Sequence, residues 1–250
     1  MKLNQFKKAA VCLSVAFMIC HTFPVTVNAM HIMEGYLPLG YCVVWGVICL
    51  PFLAIGVMKL RRIINENRRS LILLAMSGAF IFVISSLKIP SLTGSSSHMT
   101  GTGLAAILFG VAATSVLGII ILIFQAILLA HGGLTSLGAN TFSMAIIGPL
   151  FTILLFKAGK KLKLNRSANV FTAASMGCFF AYIVTSVQLA LAYPSEAGGV
   201  AASAVKFLSV FAPTQVPLAI VEGLLTVLIV IGMESFASRE LSDTSLTEAN

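Results

Sequence analysis

Long apolar runs, broken only by short polar or basic segments, decide what this chain can fold into. They lie near residues 37–58, 71–88, 103–130, 140–157, 168–192 and 213–234. A helix that crosses ~30 Å of hydrocarbon needs about 20 residues, and most of these runs supply that length. Hydrophobic residues make up 58% of the chain and charged residues 10%, against about 25% charged in a soluble domain. Lipid is therefore the solvent for most of the molecule. The expected fold class is an all-α membrane protein, with one transmembrane domain over 30–234 and a polar tail over 235–250. The formal charge of +8 is not a nucleic-acid signal, because the basic residues sit in short clusters between apolar runs. The five cysteines form no CxxC pair, lie in apolar runs, and read as buried small hydrophobes rather than a disulfide framework.

Residues 1–29 have the three parts of a secretory signal. Lys2, Lys7 and Lys8 form a basic start, 9–20 an apolar core, and Val27-Asn28-Ala29 a small-residue cleavage site. Cleavage after Ala29 would leave Met30 as a free N-terminus outside the membrane. An uncleaved first helix is the alternative, and it offers no such amine.

Charge bias orients the passes. Lys59, Arg61, Arg62, Arg68 and Arg69 fill one loop, and Lys157, Lys160, Lys161, Lys163 and Arg166 another. Both belong on the cytoplasmic side. That holds if 103–130 makes two short passes with a turn near Gly118, giving seven transmembrane helices, the N-terminus outside and the C-terminus cytoplasmic. One long helix plus a re-entrant segment is the alternative. The outer loops are then 30–36, 89–102, 131–139 and 193–212. Two of them, 89–102 and 131–139, are rich in Gly and Ser, as binding loops are. Ala106, Gly110, Thr114 and Gly118 recur every fourth residue, a small-residue stripe for internal packing or for docking a partner subunit.

Of the histidines, His21 leaves with the signal, while His31, His98 and His131 all fall on the outer side. His31 would be the second residue of a cleaved chain. The Met30 α-amine, the deprotonated His31 amide nitrogen and the His31 Nδ1 can then close two adjoining chelate rings. A further nitrogen completes a square plane that suits Ni(II), Cu(II) or low-spin Co(II) better than tetrahedral zinc. His98, in its Ser-rich loop, is the candidate for that position; three unconnected loop histidines are the competing reading. His131, before Gly132-Gly133, reads as a supporting group or a helix-end residue. Glu34 is either near the site or simply solvated, and Asn140 either near it or a cap for the following helix. Glu222 lies inside an apolar run, where a carboxylate is a functional candidate facing the bundle interior; pairing with Gln188 or with a backbone group is the alternative. Glu234, at the inner end of that run, reads as interfacial.

The stretch from Met30-His31-Ile32-Met33-Glu34-Gly35 to Pro38 resembles the mature N-terminus of the CbiM family, the substrate-binding subunits of energy-coupling-factor cobalt transporters. The resemblance continues through Leu87–Ser91, Thr93–His98, Gly101–Gly110, Ala130–Thr135 through Gly148-Pro149, Thr185–Leu191 and Ala219–Thr226, and so covers nearly all of the mature chain. It departs at Gly110-Val111, where proline commonly follows the glycine. The resemblance implies a seven-helix subunit of the inner, cytoplasmic membrane that captures a divalent ion outside. It implies ligation by Met30, His31 and His98. It also implies partners: a small membrane subunit, a transmembrane coupling subunit and cytoplasmic ATPases, with cobalt feeding cobalamin synthesis. No GxxxxGK[ST] motif is present, so energy must come from partners. A nickel-specific subunit of the same class is the runner-up. An intramembrane metalloenzyme would need a reactive polar group beside the metal, and HExxH is absent. A passive channel would need repeated polar rings, which no pass carries. The expectation is therefore a transport subunit and not an enzyme, with cobalt (or nickel) as cargo rather than cofactor.

Overall fold

The computed structural model describes residues 31–66, 70–87, 89–90 and 96–236. The expected signal over 1–29, Met30 and most of the tail over 235–250 lie outside the described residues. The described chain is helical apart from short loops and one small ladder. Helix α1 spans Leu39–Glu66 and α2 Ser70–Ser86. A two-stranded antiparallel ladder follows, β1 (Ile89–Pro90) against β2 (Ser96–Ser97). Then come α3 (Thr102–Leu129), α4 (Leu137–Lys161), α5 (Arg166–Ala192) and α6 (Gly199–Phe236).

Five of these helices, α1 and α3 to α6, are long and apolar enough to cross a membrane, and α2 is a shorter apolar helix of 17 residues. Only 17% of the apolar window of α1 is buried, so its outward face of Val43, Val47, Leu50 and Ile55 is left for lipid. Two apolar clusters hold the bundle together. One joins Leu73, Leu104, Ile107, Phe156, Val170 and Val230, and the other Ile32, Leu122, Met144, Tyr182, Leu189 and Phe211. Cys42, Cys49 and Cys178 are free and buried, as small hydrophobes are.

Helix α3 does not run straight. Its 28 residues would extend about 42 Å as one rod. Yet His98, just before it, and His131, just after it, have ring centroids 4.6 Å apart. The chain therefore folds back inside α3, and the reversal is at Gly110, whose φ of 79° and ψ of 171° no other residue type adopts readily. The descending leg, 102–109, is wholly buried, and Ala105 on it packs in one cluster with Ile121 on the returning leg. This corrects the sequence reading: the turn is at Gly110 and not near Gly118, which instead packs against Ala145. The descending leg has only eight helical residues, about 12 Å, so it is not a full crossing. The small-residue stripe is likewise divided between two legs. Ala106, Thr114 and Gly118 are buried inside the chain, so the stripe serves internal packing.

Two other boundaries differ from expectation. Helix α4 contains a π-helical stretch at Thr141–Ile147, directly ahead of Pro149, which has no N–H to give to the carbonyl of the preceding turn. Residues 193–212, expected as an outer loop, are helical from Gly199, and α6 runs on through Pro213 and Pro217 for 38 residues. At the opposite end Arg166 pairs with Glu234 at 2.5 Å, tying the start of α5 to the end of α6.

Candidate metal centre

Two short non-helical arms bring His31 and His98 together. The N-terminal arm, 31–38, precedes α1. Asn140 grips its backbone at two points: Ile32 N–H donates to Asn140 Oδ1 at 2.9 Å, and Asn140 Nδ2 donates to the Ile32 carbonyl at 3.0 Å. The Ser136 hydroxyl donates to the same carbonyl at 2.5 Å. Farther along, Thr135 N–H donates to both Glu34 carboxylate oxygens, at 3.3 and 3.2 Å, and Gly35 N–H donates to the Thr135 hydroxyl at 3.2 Å. The arm lies so close to the 131–136 loop that a Cβ on Gly133 would stand 2.5 Å from Glu34 Cα. The hydroxyl and backbone N–H of Thr135 hold the exposed Glu34 carboxyl below the usual carboxylate range. Burial raises the neighbouring Tyr36 phenol, helped by Tyr193, whose hydroxyl donates to the Tyr36 carbonyl.

The second arm, 96–101, joins β2 to α3, and Glu222 of α6 anchors it. Glu222 Oε2 accepts from Thr100 N–H at 2.6 Å, and Oε1 accepts from the Thr100 hydroxyl at 2.6 Å and from Gly101 N–H at 3.0 Å. Gln215 Nε2 donates to the His98 carbonyl at 3.0 Å, and the Ser97 and Thr214 hydroxyls are 2.7 Å apart. A buried carboxylate is costly unless donors surround it, and this one has three.

Between the arms the imidazoles of His31, His98 and His131 converge. All three are buried, and one nitrogen from each lies within 4.8 Å of the others. His31 stacks on His98 at 4.3 Å and meets His131 at 4.2 Å between ring centroids. His31 Nδ1 and His98 Nε2 are in direct contact. His98 Nδ1 lies 2.7 Å from the Met99 carbonyl, an acceptor only, so Nδ1 carries the proton and the Nε2 lone pair turns toward His31. His131 is aimed inward by the end of α3: Ala130 takes a left-handed conformation, and His131 N–H returns to the Gln125 carbonyl at 3.1 Å. Three imidazoles packed this closely would repel one another if protonated. Their lone pairs instead offer a nitrogen-rich site for a borderline transition ion.

The structure thus brings the two predicted histidine ligands together, while Met30 lies outside the described residues. His131, expected only to support, stands in the cluster on equal terms with the other two. Asn140 makes no cap bond and clamps Ile32 instead. Glu34 is exposed but bonded to Thr135, outside the imidazole cluster. Glu222 and Gln188 are not one site: Gln188 Nε2 donates to the Ala139 carbonyl at 3.1 Å, on α4. Sequence reasoning missed Ser136, Thr135 and Gln215. Each bonds a backbone group distant in sequence, so spacing carries no sign of the pairing.

The family model described as the cobalt uptake substrate-specific transmembrane region, CbiM, matches residues 31–240. The chain belongs to the CbiM family. The Cobalt transport protein CbiM of Lachnoclostridium phytofermentans is 60% identical over 244 residues, covering 98% of each chain. That of Ruminiclostridium cellulolyticum is 51% identical over 245 residues, 98% of this chain and 99% of its own. A crystal structure of a transition metal transporter superposes with a TM-score of 0.72 at 26% identity, covering 85% of this chain and 98% of that one. A truncated transition metal transporter gives 0.71 at 27% identity, over 82% and 98%. Like other members of the CbiM family, then, the chain is a multi-pass membrane transport component.

Proposed function

We propose that this chain is the substrate-capture subunit of an ATP-driven energy-coupling-factor transporter that imports cobalt(II) for cobalamin biosynthesis. One observation carries the reading: three buried imidazoles meet at the start of the domain, on arms whose backbones are fixed by other helices. In the mature chain Met30 is the first residue, so its α-amine adjoins His31. The amine, the His31 amide nitrogen and imidazole, and His98 supply the nitrogens for the ion; His131 completes or supports the set. Glu34 and Asn140 hold the N-terminal arm in place. The orientation puts the N-terminus outside and the C-terminus in the cytoplasm. Counting both legs of α3, seven helical legs then alternate direction, and both basic clusters face inward. A small membrane subunit, a transmembrane coupling subunit and cytoplasmic ATPases complete the transporter and supply the energy that this chain lacks a nucleotide motif to draw.

The test is cobalt and nickel uptake, in competition, by cells carrying the full transporter, alongside N-terminal sequencing of the purified chain. A start at Met30 and cobalt accumulation that nickel does not displace are expected. Selective nickel accumulation would overturn the cobalt assignment, and a chain retaining its leader while importing normally would overturn the amine ligand.

A further inference from the structure

The opposite end of the bundle carries a polar feature that the imidazole site does not use. Lys59 of α1 and Lys157 and Lys160 of α4 line one cavity of ≈ 380 Å³, walled by Ser70, Phe109, Gly110 and Phe156 among others. Lys157 and Lys160 are three apart on a helix and so share a face. The Lys160 ammonium sits over the Phe156 ring, 4.8 Å from its centroid, which steers it. Lys59 reaches across the α3 turn: a Cβ on Gly110 would lie 2.9 Å from its Nζ. No acidic residue is among the described lining residues, and neither Lys59 nor Lys157 is paired with a carboxylate among the described residues.

Lys59 and Lys157 bring like charge to one partly enclosed space that Lys160 also lines, and a shared anion offsets that charge. A lysine ammonium is a good point-charge partner for phosphate. Basic pockets between transmembrane helices on the cytoplasmic side suit anionic headgroups. The volume falls within the ~300–1,000 Å³ typical of small-ligand sites. The adjoining α1 residues Ile55 and Met58 are exposed and apolar, so lipid lies beside the opening. We propose that Lys59, Lys157 and Lys160 together bind a phosphate-bearing anion, in the membrane the headgroup of an acidic phospholipid. The site takes from the proposed function only the cytoplasmic placement of this end, and nothing from its cobalt chemistry.

The experiment places the full chain in nanodiscs of phosphatidylcholine, with or without phosphatidylglycerol, and counts retained lipid by native mass spectrometry. Preferential retention of phosphatidylglycerol is expected. It should fall about fivefold for Lys157→Gln and about 100-fold for the triple Lys59→Gln, Lys157→Gln, Lys160→Gln variant, from ~1 kcal/mol per lysine. The control replaces Arg61, Lys161 and Lys163 by Gln; these are exposed, lie outside the cavity, and carry equal charge. It should keep the preference. Equal losses in both triple variants would mean diffuse surface charge and overturn the site. A second arm titrates inorganic phosphate onto chain in phosphatidylcholine discs and reads phosphorus NMR line broadening. Broadening abolished by the triple variant, without any lipid preference, keeps the site and makes a soluble phosphate compound the ligand. Binding in neither arm overturns the proposal and points to an acidic protein partner. Cobalt binding measured on the same samples reports whether each variant folds, and its failure in the wild type would count against the transport reading alone.

Discussion

The two arms that meet at the imidazole cluster are held in opposite ways. The His98 arm is fixed from below by a buried carboxyl, Glu222, which gathers two backbone N–H groups and one hydroxyl within 3.0 Å. The N-terminal arm is held by neutral partners at its buried part, Asn140 and Ser136, and by the exposed Glu34 only where it reaches the surface. The difference follows depth. A carboxylate inside the bundle is tolerable only when fully engaged, so it makes a rigid mount. Amide clamps cost less to break. The N-terminal arm is thus the easier of the two to lift away, as the proposed capture and release of an ion would require.

The contrast can be broken by substitution, and Glu222→Ala should have the largest effect. It orphans three buried donors, so a loss of about 3 kcal/mol or more is expected, read as a marked fall in the thermal midpoint of the purified chain. Little change in that midpoint would show that the His98 arm needs no mount. Asn140→Ala removes two bonds to Ile32, about 2 kcal/mol. Most of it should appear as ~30-fold weaker cobalt binding rather than as unfolding, because the loss falls on an arm and not on the core. Equal damage to midpoint and to binding would erase the distinction between the arms.

The smallest effect belongs to Glu34. Its carboxyl is held below its unfolded value, so its contribution is present above the ordinary carboxylate range and is lost as pH falls through the lowered folded value. Glu34→Gln should weaken binding slightly near neutral pH and change nothing below the lowered carboxylate range, which flattens the acid limb of a binding-versus-pH curve. An unchanged acid limb would remove Glu34 from the arm's mounting.

Much of this was legible in the sequence because lipid imposes simple rules. Apolar run length located the helices, and the basic clusters marked one end. His31 and His98 could be paired because both sat in polar segments on one side. Charge bias favoured a turn within 103–130 over one long helix, but it did not give the place. Gly110 and Gly118 are alike in sequence, and only packing separates them, Gly118 against Ala145 and Gly110 at a backbone angle it alone permits. The role of His131 was hidden for a related reason. The left-handed Ala130 that turns it inward has no signature, since alanine rarely adopts that conformation. Asn140 could be read as a group near the site or as a helix cap, and the sequence could not choose because its partner, Ile32, lies 108 residues away.

The central claim is that the imidazoles of this cluster capture the ion, and cobalt-edge X-ray absorption on the purified, loaded chain tests it most directly. Wild type should show one tightly held cobalt in a nitrogen-only first shell with imidazole scattering. His31→Ala and His98→Ala should each lose the ion, while all retain the folded midpoint. A shell of oxygen or sulfur, or the same spectrum and stoichiometry in both variants, would contradict the account.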